Sequence, residues 1–193
     1  KQWDKALKRI VRIFSALKKQ GILLKWLNLG GGFPIRYRKD IPDIYEIAAS
    51  INSFLEREFR KEIPQIMLEP GRFIIGDAGL IRSEVVLVSK KTYKANERWV
   101  YLDIGKFGGL AETMNEAIQY PLRTFKDNNK KGPVVIAGPS CDGVDILYRN
   151  AGYQLPLTLT AGDYVDILCA GAYTASYATK EFNGLLPLQE HYI

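Results

Sequence analysis

Apolar residues recur at helical spacing at the start of the chain. Trp3, Leu7, Ile10, Phe14 and Leu17 share one face, and Gly21 follows as a stop. The pattern then shortens. Leu23 to Leu29 is a mostly apolar run that predicts a strand, and it leads into Gly30-Gly31-Gly32. Pro42-Asp43 opens a second helix, with Glu46 following Asp43 as in a capping box. Its apolar face is Ile44, Ile47, Ala48, Ile51, Leu55 and Phe59. After Pro64, the run Ile66 to Leu68 predicts a second strand and ends at Glu69-Pro70-Gly71-Arg72. Helix, strand, helix, strand of these lengths is a β/α pattern with parallel strands. Reactive groups in such folds belong at the carboxyl ends of the strands, and both motifs lie there.

From about Ile81 the texture becomes β-rich. Val85 to Val88, Trp99 to Leu102, Val134 to Ala137 and Tyr164 to Leu168 predict strands, separated by turns such as Asn128-Asn129 and Ala161-Gly162-Asp163. Glu112 to Ile118 predicts a short helix. The fold class expected is therefore α/β plus β, with residues 1–80 in an α/β part and 81–193 in a mainly antiparallel β domain. Two β/α units cannot cover their own sheet edges, so the first eighty residues read as an incomplete layer.

Composition narrows the classes. A hydrophobic fraction of 47% across 193 residues is ample for a packed core. No apolar run reaches the length of a membrane span, and the amino end lacks a signal-peptide pattern. The chain begins with Lys1, which reads as a fragment or a processed piece. Cys141 and Cys169 form neither a metal pattern nor a disulfide scaffold, so a reducing, cytoplasmic setting is expected. The net charge of +6 lies largely on the first helix and reads as a solvated face rather than a nucleic-acid surface.

Three features carry chemistry. Gly30, Gly31 and Gly32 make either a tight turn or a loop whose bare N–H groups approach an anion. Glu69 and Arg72 bring a carboxylate and a guanidinium to a strand end, a combination suited to a phosphorylated, nitrogen-containing cofactor. Cys141-Asp142, between glycines, is a poor core sequence and a plausible reactive one.

Leu-Asn-Leu-Gly-Gly-Gly-Phe-Pro (27–34), Glu-Pro-Gly-Arg (69–72), Gly-Pro-Ser-Cys-Asp-Gly-Val-Asp (138–145), Gly-Ala-Tyr-Thr (171–174) and Phe-Asn-Gly (182–184) stand in a particular order. Together they resemble the carboxyl-terminal half of the bacterial-type ornithine, or lysine/ornithine, decarboxylases of the alanine-racemase-like class, which use pyridoxal 5'-phosphate. The resemblance implies the last two β/α units of a (β/α)8 barrel, then a β domain, in a homodimer whose active sites form across the subunits. It implies that Gly30, Gly31, Gly32, Gly71, Arg72 and Tyr173 bind the cofactor, the glycine loop, Arg72 and Tyr173 by its phosphate. It places Glu69 against the pyridine nitrogen. There a carboxylate favours the protonated, electron-withdrawing ring. It makes Cys141 the proton donor to Cα, and so a neutral thiol, and Asp142 the partner of the substrate's distal ammonium.

Diaminopimelate decarboxylases are similar at the first two motifs but carry Cys-Glu-Ser where this chain has Cys141-Asp142-Gly143, which favours a basic amino acid without a distal carboxylate. Two departures stand against the resemblance. Asp103 is offset by one position from the acidic residue that eukaryotic members place on the distal amine, so ornithine and lysine both stay open. The family's Schiff-base lysine and ring-stacking histidine have no counterpart; Lys25 lacks the surrounding motif and reads as structural, and His191 reads as a surface residue. The expectation is an enzyme of polyamine synthesis, yielding putrescine or its homologue, that needs an amino-terminal half as partner and is inactive alone. The alternative is a catalytically dead relative or split-gene remnant acting as a binding protein.

Overall fold

The structure, a computed structural model, describes residues 2–193, with side chains from Lys5 onward. The side chain of Trp3, expected on the first apolar face, lies outside the described residues. The chain divides into two units, one comprising the residues up to Phe33 with Asp40–Gly71, the other Pro34–Lys39 with Arg72–Ile193.

In the first unit, α1 (Gln2–Lys19) buries Leu7 and half-buries Ile10, Phe14 and Leu17. Its end is fixed by Gly21. With φ at 79°, Gly21 lets its own N–H reach Lys18 O at 3.0 Å and the Ile22 N–H reach Leu17 O at 3.0 Å. That reciprocal pair is a Schellman stop, which a residue with a Cβ accommodates only under strain. Helix α2 (Ile44–Phe59) is capped by Asp43, whose carboxylate accepts the Tyr45 N–H at 2.7 Å. The expected face is covered, with Leu55 buried, Phe54 beside it, and Phe59 meeting Phe14 edge to face at 5.2 Å. Between the helices run β1 (Trp26–Asn28) and β2 (Gln65–Met67), paired in parallel with Trp26 opposite Gln65 and Asn28 opposite Met67. β1 is shorter than the apolar run that announces it, and β2 is as long as Ile66 to Leu68 but set one residue earlier. Leu23 and Leu24 lie outside the ladder and are exposed, and Trp26 and Met67 are exposed within it.

The second unit holds a seven-stranded sheet. After the one-turn helix α3 (Gly71–Ile75) come β3 (Leu80–Ser89), β4 (Arg98–Leu102), β5 (Leu122–Thr124), β6 (Lys131–Ala137), β7 (Ile146–Tyr148), β8 (Gln154–Pro156) and β9 (Tyr164–Leu168). The order is β5-β9-β3-β4-β6-β7, with β8 also on β6. All pairs are antiparallel except β4 with β6. Alternation sends Ile81 and Val85 of β3, Val100 and Leu102 of β4, Val134 and Ile136 of β6, and Val165 and Ile167 of β9 into one core. Each such side chain contributes roughly 1.5–3 kcal/mol when fully buried. The chain is thus a mixed α/β chain whose larger sheet is mainly antiparallel. The helix expected over Glu112 to Ile118 is instead a 3-10 segment, Ala111–Glu116, broken at Met114 and Asn115. Asn115 and Glu116 take φ of 53° and 57°, which no right-handed helix admits.

No helix among the described residues is long and apolar enough to cross a membrane, and no cluster of His, Cys, Asp and Glu among them is disposed to hold a metal ion.

Candidate functional site

The glycine loop and Glu69 are parts of one structure at the carboxyl ends of β1 and β2. The ladder runs one step past the strands, Leu29 N–H donating to Met67 O at 2.9 Å, and then Glu69 N–H donates to Gly30 O at 2.8 Å. Asn28 ties the two motifs through its side chain. Its Oδ1 accepts the Gly30 N–H at 2.7 Å, and its Nδ2 donates to Glu69 Oε1 at 2.6 Å. Gly30 and Gly32 have φ of 73° and 80°, in the left-handed region. Gly31 is needed for another reason: a Cβ there would collide with the Glu69 carbonyl oxygen. Among the described residues no hydrogen bond takes up the N–H groups of Gly31 and Gly32. The loop therefore offers two bare donors beside a carboxylate, and these suit an anionic group and a protonated ring nitrogen respectively.

Arg72 belongs to the second unit and is heavily engaged. Nη2 donates to Glu112 Oε1 at 2.8 Å, Nη1 donates to Glu112 Oε2, and Nη1 also donates to the Tyr37 hydroxyl at 2.9 Å. The Tyr173 ring lies against the guanidinium, 5.1 Å from centroid to Cζ. The bonds to Glu112 hold the guanidinium's pKa above its ordinary value. Of its five N–H groups, Nε–H and one on Nη2 are left for an outside acceptor. Tyr37 meets Tyr120 edge to face at 5.5 Å, and burial pushes both phenols up. The Tyr120 hydroxyl is buried without a partner among the described residues. Tyr173 is half exposed and sits at φ 56°, next to the ring of Tyr177 at 5.6 Å.

Cys141 and Asp142 lie in the loop after β6. Cys141 is exposed, with φ at 60°, and its Sγ lies 3.8 Å from Pro139 O. Asp142 caps the following 3-10 turn, accepting the Val144 N–H at 2.8 Å. The loop is anchored by Asp145, which is buried. Its Oδ2 accepts the Ser140 hydroxyl at 2.6 Å and the Ser140 N–H at 3.2 Å, while Oδ1 accepts the Lys106 N–H at 2.7 Å. Gly105 and Gly138 flank this carboxylate so closely that a Cβ on either would strike it. Asp103 is fastened to β3: its Oδ1 accepts from the Ser83 hydroxyl at 2.5 Å and from the Glu84 N–H at 3.0 Å.

Residues 24–171 match the family described as pyridoxal-dependent decarboxylase, C-terminal sheet domain. The chain belongs to that family. Among curated relatives, the lysine/ornithine decarboxylase of Selenomonas ruminantium is 35% identical over 183 residues, covering 94% of this chain and 44% of that protein. The diaminopimelate decarboxylase of Staphylococcus aureus is 33% identical over 171 residues, covering 85% of this chain and 39% of that protein. Among solved structures, the lysine/ornithine decarboxylase of Vibrio vulnificus complexed with cadaverine superposes with a TM-score of 0.81 at 31% identity, over 96% of this chain and 48% of that one. The chain thus spans about half the length of the relatives it matches. It is related to pyridoxal-phosphate-dependent decarboxylases of basic amino acids, and the resemblance read from its motifs holds at the level of this family.

Asn28, Tyr37, Glu112, Lys106 and Asp145 were not singled out by sequence reasoning. Asn28 and Asp145 stood inside quoted motifs, at 27–34 and 138–145, and could have been suspected. The others carry no local signal.

Proposed function

We propose that this pyridoxal-dependent decarboxylase domain is part of a homodimeric enzyme that decarboxylates ornithine, or lysine and ornithine, to a diamine in polyamine synthesis. Residues 1–80 then form the last two β/α units of a (β/α)8 barrel, with 81–193 as the β domain, completed by an amino-terminal half bearing the Schiff-base lysine. The observation that carries the reading is Asn28, which holds the bare glycine loop and the Glu69 carboxylate together at two strand ends. Phosphate and pyridinium recognition need such a pair.

Gly30, Gly31 and Gly32 hold the cofactor phosphate by backbone donors, and Gly71, Arg72 and Tyr173 complete its binding, Arg72 through the two N–H groups that Glu112 and Tyr37 leave free. Glu69 keeps the ring nitrogen protonated by opposite charge. When bound, pyridoxal phosphate supplies the electron sink that makes loss of carbon dioxide from Cα feasible. Asp142 accepts the substrate's distal ammonium, and the Cys141 Sγ–H gives its proton to Cα, each serving the other subunit's site. The Asp beside Cys141 favours an ammonium there over a carboxylate.

The test uses the assembled full-length protein. Cys141→Ala is expected to keep cofactor affinity, slow turnover, and divert some product to protonation at the cofactor carbon. Mixing it with a partner altered at the Schiff-base lysine should restore activity, because one site of each mixed dimer then carries neither lesion. No recovery on mixing would refute the shared site, and no decarboxylation of ornithine or lysine by the unaltered protein would favour the inactive-relative reading.

A further inference from the structure

Lys106 is the buried lysine among the described residues, and the decarboxylation chemistry does not use it. It lies four residues past the end of β4, just after Gly105, which is extended at φ −140° and carries the backbone past the Asp145 carboxylate. From there Lys106 holds the loop after β6 at two places. Its backbone N–H donates to Asp145 Oδ1 at 2.7 Å, and its Nζ donates to Val144 O at 2.6 Å. The residues it spans, Val144 and Asp145, close the 3-10 turn that Asp142 caps.

Burial lowers the ammonium's pKa, with the nearby charges of Asp145 and Glu116 working the other way. Among the described residues, no carboxylate forms an ion pair with Nζ. A buried ammonium held mainly by a backbone carbonyl is an expensive way to fill space, since an apolar chain of the same length would avoid the desolvation. What it supplies that an apolar chain would not is a directional, charge-assisted bond to a loop carbonyl. The loop needs one. Cys141 sits in the left-handed region and its thiol makes only a 3.8 Å contact, so its own side chain does little to fix its place. On the other side, Asn183 Nδ2 donates to Ser140 O at 2.8 Å, so the segment is pinned at both ends and Lys106 provides the pin after Cys141.

We propose that Lys106 is a positioning residue that fixes where the 140–144 loop presents Cys141 and Asp142, acting through Val144 and Asp145 and touching neither substrate nor cofactor. This rests on the proposed roles of Cys141 and Asp142, and it separates from them experimentally. Lys106→Met keeps the aliphatic stem and the backbone bond to Asp145 and deletes only the bond to Val144.

The experiment compares full-length holoenzyme carrying Lys106, Lys106→Met or Lys106→Arg. Two measurements are made: the rate of Cys141 alkylation by iodoacetamide, followed on the Cys141 peptide by mass spectrometry, and the ratio of diamine to the product protonated at the cofactor carbon. Lys106→Met is expected to alkylate at least severalfold faster at Cys141, with Cys169 unchanged, and to raise the misprotonated fraction. Lys106→Arg, which keeps the charge and a donor, should restore both in part. A purely structural lysine would lower the melting temperature and scale turnover without moving the product ratio. Unchanged Cys141 alkylation in folded Lys106→Met would overturn the proposal. Should Cys141→Ala itself leave the product ratio untouched, the role given to Cys141 fails while the alkylation rate still decides the role given to Lys106. If Lys106→Met does not fold, Lys106→Gln is measured instead: it keeps the backbone bond to Asp145 and a polar end but loses the charge and the reach to the Val144 carbonyl, and unchanged Cys141 alkylation there also overturns the proposal.

Discussion

Removing Arg72 strands a charge. Arg72→Ala deletes both bonds to Glu112, the bond to Tyr37 and the contact with the Tyr173 ring, and leaves Glu112 facing a cavity. The two side chains are 22% and 17% exposed, so the pair is far from a surface ion pair worth at most ~1 kcal/mol. Breaking a fully buried pair by removing one partner costs ~3–5 kcal/mol, and the residual water access here places the expected loss near ~3 kcal/mol. Most of that loss is the uncompensated carboxylate rather than lost attraction. Arg72→Ala/Glu112→Ala should therefore be more stable than Arg72→Ala alone, by ~1–2 kcal/mol. The assay is urea unfolding of the assembled apoprotein, compared by midpoint at constant slope. Titration of each variant with pyridoxal phosphate separates the two duties of Arg72. Stability should recover in the double variant and cofactor affinity should not, because the free Nε–H and Nη2–H donors are gone in both. A double variant no more stable than the single would refute the stranded-charge argument, and a double variant that regained cofactor affinity would refute the assignment of Arg72 to the phosphate.

Gly31→Ala should be worse for the cofactor than Gly30→Ala, although Gly30 has the positive φ, because only at Gly31 does the new Cβ meet the Glu69 carbonyl and push the loop from its partner strand; equal affinities for pyridoxal phosphate would contradict this. Asp166 has its pKa lowered, first by the bond from Arg82 and then by that from Arg123. Its folded value is below the unfolded ~3.9, so its contribution is full above that pH and is lost as pH falls through the folded value. Asp166→Asn should flatten stability against pH below ~4 and leave the alkaline side unaltered, as read from acid unfolding midpoints.

What the sequence reveals about this fold depends on whether the cause is local. The stop at Gly21 and the face of α2 follow from spacing alone, because capping and amphipathicity are properties of adjacent turns. β5, β7 and β8 are three residues long, too short to establish an alternation, and escape notice because none leads, as β1 and β2 do, into a recognisable motif. The same divide runs through the candidate site. The glycine loop and Glu69 announce themselves as strand-end motifs. Glu112 is 40 residues from Arg72 in sequence, in a segment read as helical, and only the path of the chain brings the two together. Lys106 is 39 residues from Asp145 and looks like an ordinary surface charge until the loops are folded.

Left-handed backbone at Cys141 and Tyr173 means that these two of the residues proposed for the site sit where the chain would be more comfortable without a side chain. A non-glycine residue in that region costs ~1–2 kcal/mol. Selection for durability alone would therefore drift both positions toward glycine, which relieves the tension and discards the thiol or the phenol with it. Retaining a functional side chain there works against that drift, and a glycine at either place in a related sequence would be a sign that the reaction had been given up while the scaffold was kept.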